Sequence, residues 1–91
     1  MNEEMIEHKL YQLNGKRVIV IRPSFGSQSD SWNGELNNVS TEFPLTFQFR
    51  TGDFAMLFQA VDVKKIEEHS TVNAVIRLKG PYDFKEAFQT A

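Results

Sequence analysis

Apolar and polar residues alternate along much of the chain, and this alternation predicts β-strands. Residues 16–22 contain four consecutive β-branched side chains, which suit a strand, and Pro23 ends that strand because proline cannot donate a ladder hydrogen bond. The run 43–50 places four apolar side chains on one face, namely Phe43, Leu45, Phe47 and Phe49. A short turn containing Gly52 separates it from 54–60, so the two runs are predicted to form a hairpin with a shared apolar face.

Two more strands and one turn complete the predicted sheet. The second strand is expected over 32–40, with a bulge or tight turn at Asn33-Gly34. Within 61–67, apolar and charged residues recur at helical offsets, which favours a single 3₁₀ or α turn over another strand. The last strand is expected over 71–79, with inward-facing Val72, Ala74, Ile76 and Leu78 and outward-facing Asn73, Val75, Arg77 and Lys79.

The N-terminal residues 2–13 are predicted to form a helix. Ile6, Leu10 and Leu13 recur at helical spacing, and Asn2 can cap the first turn. The alternative is a hairpin in which Asn14-Gly15 forms a type I′ turn between two strands. Sequence alone leaves both structures open for this segment.

The C-terminal residues 80–91 follow a Gly-Pro break and carry the signs of a short helix. Asp83 and Glu86 have the spacing of a capping box, and Phe84 and Phe88 would share one face of that helix. Such a tail either docks on the body of the protein or presents its two phenylalanines to a partner.

These elements predict a mainly β fold with a short N-terminal helix, an α+β arrangement. Short strands bury a core only when their sheet curls, so we expect a five-stranded, strongly bent antiparallel sheet or a small open β-barrel. A chain of 91 residues is expected to form one domain. Its parts would be the helix over 1–15, the barrel body over 16–79, and a tail or short helix over 80–91.

Three short stretches carry a family resemblance: Leu13-Asn14-Gly15-Lys16-Arg17-Val18, Gly34-Glu35-Leu36 and Val63-Lys64-Lys65-Ile66. In their order of small and apolar positions over residues 3–79, they resemble the small β-barrels of the Sm-like and SH3-like groups. Neither the Asp/Asn pair with which Sm-like proteins grip RNA bases nor the paired aromatics of an SH3 groove can be placed in this sequence. The resemblance therefore implies a fold and transfers no function.

The amino-acid composition excludes several classes of protein and points to no particular function. The chain has no cysteine, which excludes disulfide scaffolds, thiol nucleophiles and cysteine-based metal sites. No apolar run reaches the ~18–20 residues of a membrane span, and the acidic N-terminus does not resemble a signal peptide. We expect a soluble cytoplasmic protein that does not bind membranes.

The residues that could carry catalysis are few and scattered. His8 and His69, the two histidines, lie in separate segments without metal-ligand spacing. No serine stands in a nucleophile-elbow motif. We therefore expect no catalytic residues, no metal and no cofactor. The loop 24–31 could cradle a small anion, but a plain solvated connector is the favoured interpretation.

Basic residues concentrate in the first and last predicted strands. If these two strands pair antiparallel, as a small barrel would require, five side chains could form one positive patch: Lys16, Arg17, Arg22, Arg77 and Lys79. Such a patch could bind nucleic-acid phosphates or an acidic protein surface. The alternative is that these charges guard strand edges against aggregation. A net charge of −2 favours protein partners over nucleic acid.

Several aromatic residues lie outside the alternating pattern and are candidate interface anchors. They are Phe25, Phe84 and Phe88, and the alternative is that they close the open ends of a barrel. Trp32, at the end of the 24–32 segment, is a further candidate anchor, and its alternative place is the core. We expect a non-enzymatic interaction module that binds another protein, as a regulator, an inhibitor or a self-associating subunit. A nucleic-acid-binding barrel that uses the five basic residues is the second hypothesis.

Overall fold

A computed structural model describes residues 2–23, 29–52 and 54–80. One helix packs against a single bent sheet of six strands. In chain order the elements are α1 (Glu3–Gln12), β1 (Arg17–Pro23), β2 (Ser29–Asn38), β3 (Thr46–Thr51), β4 (Phe54–Gln59), a 3₁₀ turn (Ala60–Asp62), β5 (Val63–Glu67) and β6 (Val75–Leu78). The mainly β fold with an N-terminal helix is confirmed, whereas the predicted C-terminal helix lies outside the described residues.

The strand order is β4-β3-β2-β1-β6-β5, so the predicted count of five strands is wrong. The additional strand is β5, which the sequence suggested was a turn. The 3₁₀ turn is present but ends at Asp62, and the register between β5 and β6 shifts between Val63 and Lys65. That irregularity spaces buried Val63 and Ile66 three residues apart, which imitates helical periodicity inside a strand.

The expected antiparallel pairing of the first and last strands is also wrong. Strand β6 pairs with β1 in parallel, and its other neighbour, β5, is antiparallel to it. Strand β5 therefore takes the outer position, and β4 and β5 become the two edges of the sheet, connected in sequence by the 3₁₀ turn. The sheet is bent and open, and it is not closed into a barrel.

Helix α1 forms as its cap and apolar stripe predict, which settles the choice between helix and hairpin. The side-chain oxygen of Asn2 accepts a hydrogen bond from the backbone N–H of Met5 at 2.8 Å, and Ile6 and Leu10 are buried. The helix gives way to Gly15, whose φ of +79° favours glycine. The Gly15 N–H then donates to the Leu36 carbonyl at 2.6 Å, which fixes the helix end to β2.

The core lies between α1 and the inner face of the sheet. Its largest members come from β2, β3 and β4, and they include Leu36, Phe47, Phe49, Met56 and Phe58. In β6, Ile76 and Leu78 are buried as expected. Val75, which was expected to face outward, is buried as well, in the central part of the sheet between Ile19 of β1 and Glu67 of β5.

Phe43 is the main error in the predicted core. Its side chain is 80% exposed, whereas Phe47 and Phe49 are fully buried. Strand β3 begins only at Thr46, because Pro44 cannot take part as a donor in the ladder. Phe43 therefore lies in the segment between β2 and β3, where the alternation of the sequence no longer corresponds to strand faces.

The predicted bulge or turn at Asn33-Gly34 is absent. Strands β1 and β2 pair without interruption, with Ile19 opposite Asn33 and Val18 opposite Gly34. Glycine is required at this position for another reason. A Cβ atom on Gly34 would lie 2.2 Å from the Arg50 carbonyl oxygen and 2.8 Å from the Phe49 ring. Gly34 thus allows β2 and β3 to approach closely.

Candidate functional site

An apolar depression lies along the solvent-facing side of α1. We call it the α1 groove; it is open and has a volume of about 550 Å³. Its apolar wall is formed by Met5, Tyr11 and Leu45, and its rim carries Glu4, Glu7 and Lys9. Because Ile6 and Leu10 turn toward the core, the remaining sides of the helix direct Met5 and Tyr11 to solvent.

Leu45, at the end of segment 39–45, lines the α1 groove opposite the helix, and Phe43 lies exposed in the same segment. Its ends are joined by a hydrogen bond from the Val39 N–H to the Thr46 carbonyl at 3.0 Å. Inside it, the Glu42 N–H donates to the Ser40 hydroxyl at 3.3 Å. Leu45 packs partly against the core, which anchors the segment beside the helix, while Phe43 points into solvent two residues earlier.

The sequence prediction missed this surface. Neither Met5 nor Tyr11 was predicted to be a site residue, and Phe43 was assigned to the core face. Pro44 was the signal that could have placed Phe43 in a loop, since a proline interrupts strand pairing. Exposure of Tyr11 follows from its position on the helix, one residue after buried Leu10.

The predicted anchors fall into two groups. Phe25, Phe84 and Phe88 lie outside the described residues. Trp32 is half-buried against the core, with its ring in an edge-to-face contact with Phe54 at 5.5 Å between centroids. The guanidinium of Arg22 lies over the Trp32 ring, with its central carbon 5.2 Å from the ring centroid. Trp32 therefore belongs to a packed cluster at one end of the sheet.

The five basic residues do not gather into one patch. Arg77 lies beside Ile21 in the parallel register, but it stands between buried Ile76 and Leu78 and so faces outward. Arg22 lies two residues after buried Val20 in β1, so its side chain is on the same, inner face of the sheet. Parallel pairing also leaves Lys16 and Arg17 at the opposite end of β1.

Each of these basic residues has an acidic neighbour. Arg22 forms an ion pair with Asp30 at 3.1 Å, and Arg77 donates a hydrogen bond to the Glu67 carboxylate. Arg17 stands opposite Glu35 in the β1–β2 register. Lys16 lines a depression together with Glu67 and Glu68, and Lys79 lines a small cavity together with Glu3. These carboxylates offset the positive charge that the sequence suggested.

The Glu67 carboxylate has a pKa that its neighbours shift from the ordinary value. The hydrogen bond from Arg77 is the largest influence and lowers the pKa of Glu67 below its ordinary value of 4.5. Loss of solvent around the carboxylate opposes this effect, while the charges of Arg77 and Lys65 add to it. The ionised form of Glu67 is therefore favoured in the folded protein.

A pH-dependent contribution to stability follows from this lowered pKa. Glu67→Gln is expected to reduce the free energy of unfolding at neutral pH, and this difference should shrink as the pH falls below 4.5, where wild-type Glu67 takes up its proton. Urea denaturation at neutral pH and at about pH 3 measures the difference. Glu68→Gln, which removes a neighbouring exposed carboxylate, is the control. Its difference from wild type in unfolding free energy should not shrink as the pH falls. Equal pH dependence of the two variants would contradict the assignment.

Neither histidine is placed as a catalytic base or metal ligand within a cluster. The imidazole of His8 lies within 3.2 Å of the Gln12 amide on the helix surface, and His69 Nδ1 accepts a hydrogen bond from the Thr71 N–H at 3.1 Å. Across 2–23, 29–52 and 54–80, no three His, Asp or Glu side chains are grouped to hold a metal ion. In the same ranges, no helix has the length and apolar character needed to cross a membrane.

Comparison with known proteins adds no assignment. The sequence matches no protein-family model, and neither curated proteins nor solved structures give a significant match to it. The resemblance to Sm-like and SH3-like barrels thus receives no support from relatives. A proposal about function therefore rests on the side chains that line the α1 groove and on the charges around them.

Proposed function

We propose that the chain is a non-enzymatic interaction module that binds another protein through the α1 groove. The observation that carries this proposal is the exposure of Met5 and Tyr11, which line one apolar depression together with Leu45. Apolar residues scattered singly on a surface are ordinary, whereas neighbouring ones that border a groove are typical of binding sites. We further propose that the protein acts in the cytoplasm.

The charges near the groove define the chemistry of the partner. Glu4 and Glu7 lie on the rim together with Lys9. We propose that the partner presents a large apolar side chain flanked by lysine or arginine. The apolar side chain would cover Met5 and Tyr11, and the basic residues would meet the acidic rim.

Nucleic-acid binding through the first and last strands is the competing function. The acidic neighbours of all five basic residues favour protein binding, because a phosphate backbone would have to approach Asp30, Glu35 and Glu67 as well. A small-anion site in the 24–31 loop has no support, since residues 24–28 lie outside the described part of the chain.

Selection from a displayed random-peptide library tests the proposed function. Enriched peptides are expected to combine a large apolar residue with neighbouring lysine or arginine. Tyr11→Ser is expected to weaken binding of such a peptide by about 30-fold, corresponding to the ~2 kcal/mol of an aromatic hot spot. Calorimetric titration of wild type and variant measures the ratio of dissociation constants.

Val39→Ser is the matched control for Tyr11→Ser. The two side chains are similarly exposed, at 50% and 54%, but Val39 does not line the α1 groove. The control should bind as wild type does. Unchanged peptide affinity in Tyr11→Ser would contradict the proposal. Salt-sensitive binding of an RNA or DNA oligonucleotide that Lys16→Glu with Arg17→Glu abolishes would instead support the competing function.

A further inference from the structure

The two edges of the sheet differ in how well they are protected against pairing with another strand. Strand β5 carries Lys64 and Lys65, and its register is irregular between Val63 and Lys65. Charged edges and irregular registers are both known means of blocking edge-to-edge association. Strand β4 has the sequence Phe-Ala-Met-Leu-Phe-Gln, with neither a charged residue nor a proline.

The backbone of β4 can accept a second neighbour. Within the described residues, β3 is the only strand that pairs with β4. In an antiparallel ladder, alternate residues direct their N–H and carbonyl groups away from the partner strand. At the end of β4 the Gln59 N–H is already taken by the Asp62 carboxylate at 2.9 Å, so the available edge ends there.

Leu57 marks the centre of this edge. It lies on the outer face of the sheet, between buried Met56 and Phe58, and its side chain is 43% exposed. Its neighbours on that face of β4 are Ala55 and Gln59, which carry no charge. An apolar, uncharged strand of this kind is expected to gain from pairing that covers it.

We propose that β4 is a homodimer interface, at which a second copy of this chain adds its own β4 in antiparallel orientation. A two-fold axis at Leu57 places Leu57 opposite its counterpart and Met56 opposite Phe58 of the other copy. No like charges then face each other along the two strands. Strand β5 carries two lysines and an irregular register, both of which oppose edge pairing, whereas β4 has neither, so the interface is assigned to β4.

This interface is independent of the proposed function. Leu57 lies on the outer face of the sheet, whereas α1 and its groove lie on the side of the core. None of the residues of β4 lines the α1 groove. Failure of one proposal therefore leaves the other standing, and their variants share no residue.

Sedimentation analysis of the full chain tests the interface. Wild type is expected to form a dimer, and Leu57→Lys is expected to be monomeric because two lysines would face each other at the axis. Val61→Lys is the matched control, since Val61 is 44% exposed but lies in the 3₁₀ turn, and it should remain dimeric. An equimolar mixture of Leu57→Lys and Leu57→Glu should recover the dimer through opposite charges.

Two results would overturn the proposal: a wild type that stays monomeric at every soluble concentration, or a dimer that persists in Leu57→Lys. If circular dichroism shows that the Leu57 variants do not fold, wild-type hydrogen exchange decides instead. Exchange of the Ala55 and Leu57 amides that slows as protein concentration rises supports the interface. Exchange of these amides that is independent of concentration overturns it.

Discussion

Phe47→Ala is expected to lower the free energy of unfolding by about 3–5 kcal/mol, the usual cost of removing a buried phenylalanine ring. The Phe47 side chain is fully buried, and its ring lies 6.2 Å from that of its cross-strand partner Phe58. A domain of this size has a total stability of roughly 5–14 kcal/mol, so the loss is a large part of it. Urea denaturation with a two-state fit measures the change.

Phe43→Ala is the matched control for this prediction. The same ring is removed from the same stretch of sequence, but Phe43 is exposed. Its unfolding free energy should stay within about 0.5 kcal/mol of wild type. Equal losses in the two variants would contradict the placement of Phe43 outside the core, and no loss in Phe47→Ala would contradict the assigned inner face of β3.

Gly34→Ala is expected to destabilise the fold by about 3 kcal/mol, at the upper end of overpacking costs. The added methyl group would lie 2.2 Å from the Arg50 carbonyl oxygen, which belongs to the backbone of β3 and cannot rotate away. Strands β2 and β3 would have to separate near their pairing at Glu35 and Arg50. Thermal and urea unfolding of the variant measure this cost.

Asn33→Ala serves as the control for Gly34→Ala. Asn33 is the preceding residue of β2 and is exposed on the outer face, so its loss should change the unfolding free energy by no more than about 0.5 kcal/mol. Wild-type stability in Gly34→Ala would show that β2 and β3 are farther apart than the structure has them.

Local signals in the sequence were enough to predict some elements. The cap at Asn2 and the stripe of Ile6 and Leu10 predicted α1, and both features are present in the structure. Alternation over Phe47 and Phe49, followed by a short turn containing glycine, predicted the β3–β4 hairpin. These features depend on residues that are close in sequence, so the sequence favoured them, although for residues 2–13 it left a hairpin open as the alternative.

Features that depend on distant pairing could not be predicted in the same way. The register shift in β5 gives Val63 and Ile66 a helix-like spacing, so the strand resembles a turn. The parallel pairing of β6 with β1 joins segments more than fifty residues apart, and no periodicity encodes its direction. The role of Gly34 depends on the approach of Arg50, which the sequence of β2 does not reveal.

The candidate site also combines features that local sequence predicts with features that depend on long-range pairing. The sequence identified Arg22 and Arg77 as cations, but their partners Asp30 and Glu67 are set by strand register. Tyr11 became a candidate only when the structure showed it exposed beside a groove, and Phe43 was recognised as a surface residue only from its exposure. Residue type alone does not separate a core aromatic from a surface one.

Backbone chemical-shift mapping by nuclear magnetic resonance tests the proposed protein-binding surface most directly. A selected peptide that carries an apolar residue beside lysine or arginine is titrated into the labelled protein. The account predicts that the largest shifts fall on Met5, His8, Tyr11 and Leu45, around the α1 groove. Largest shifts on Lys16, Arg17 and Lys79, with the groove unchanged, would contradict it.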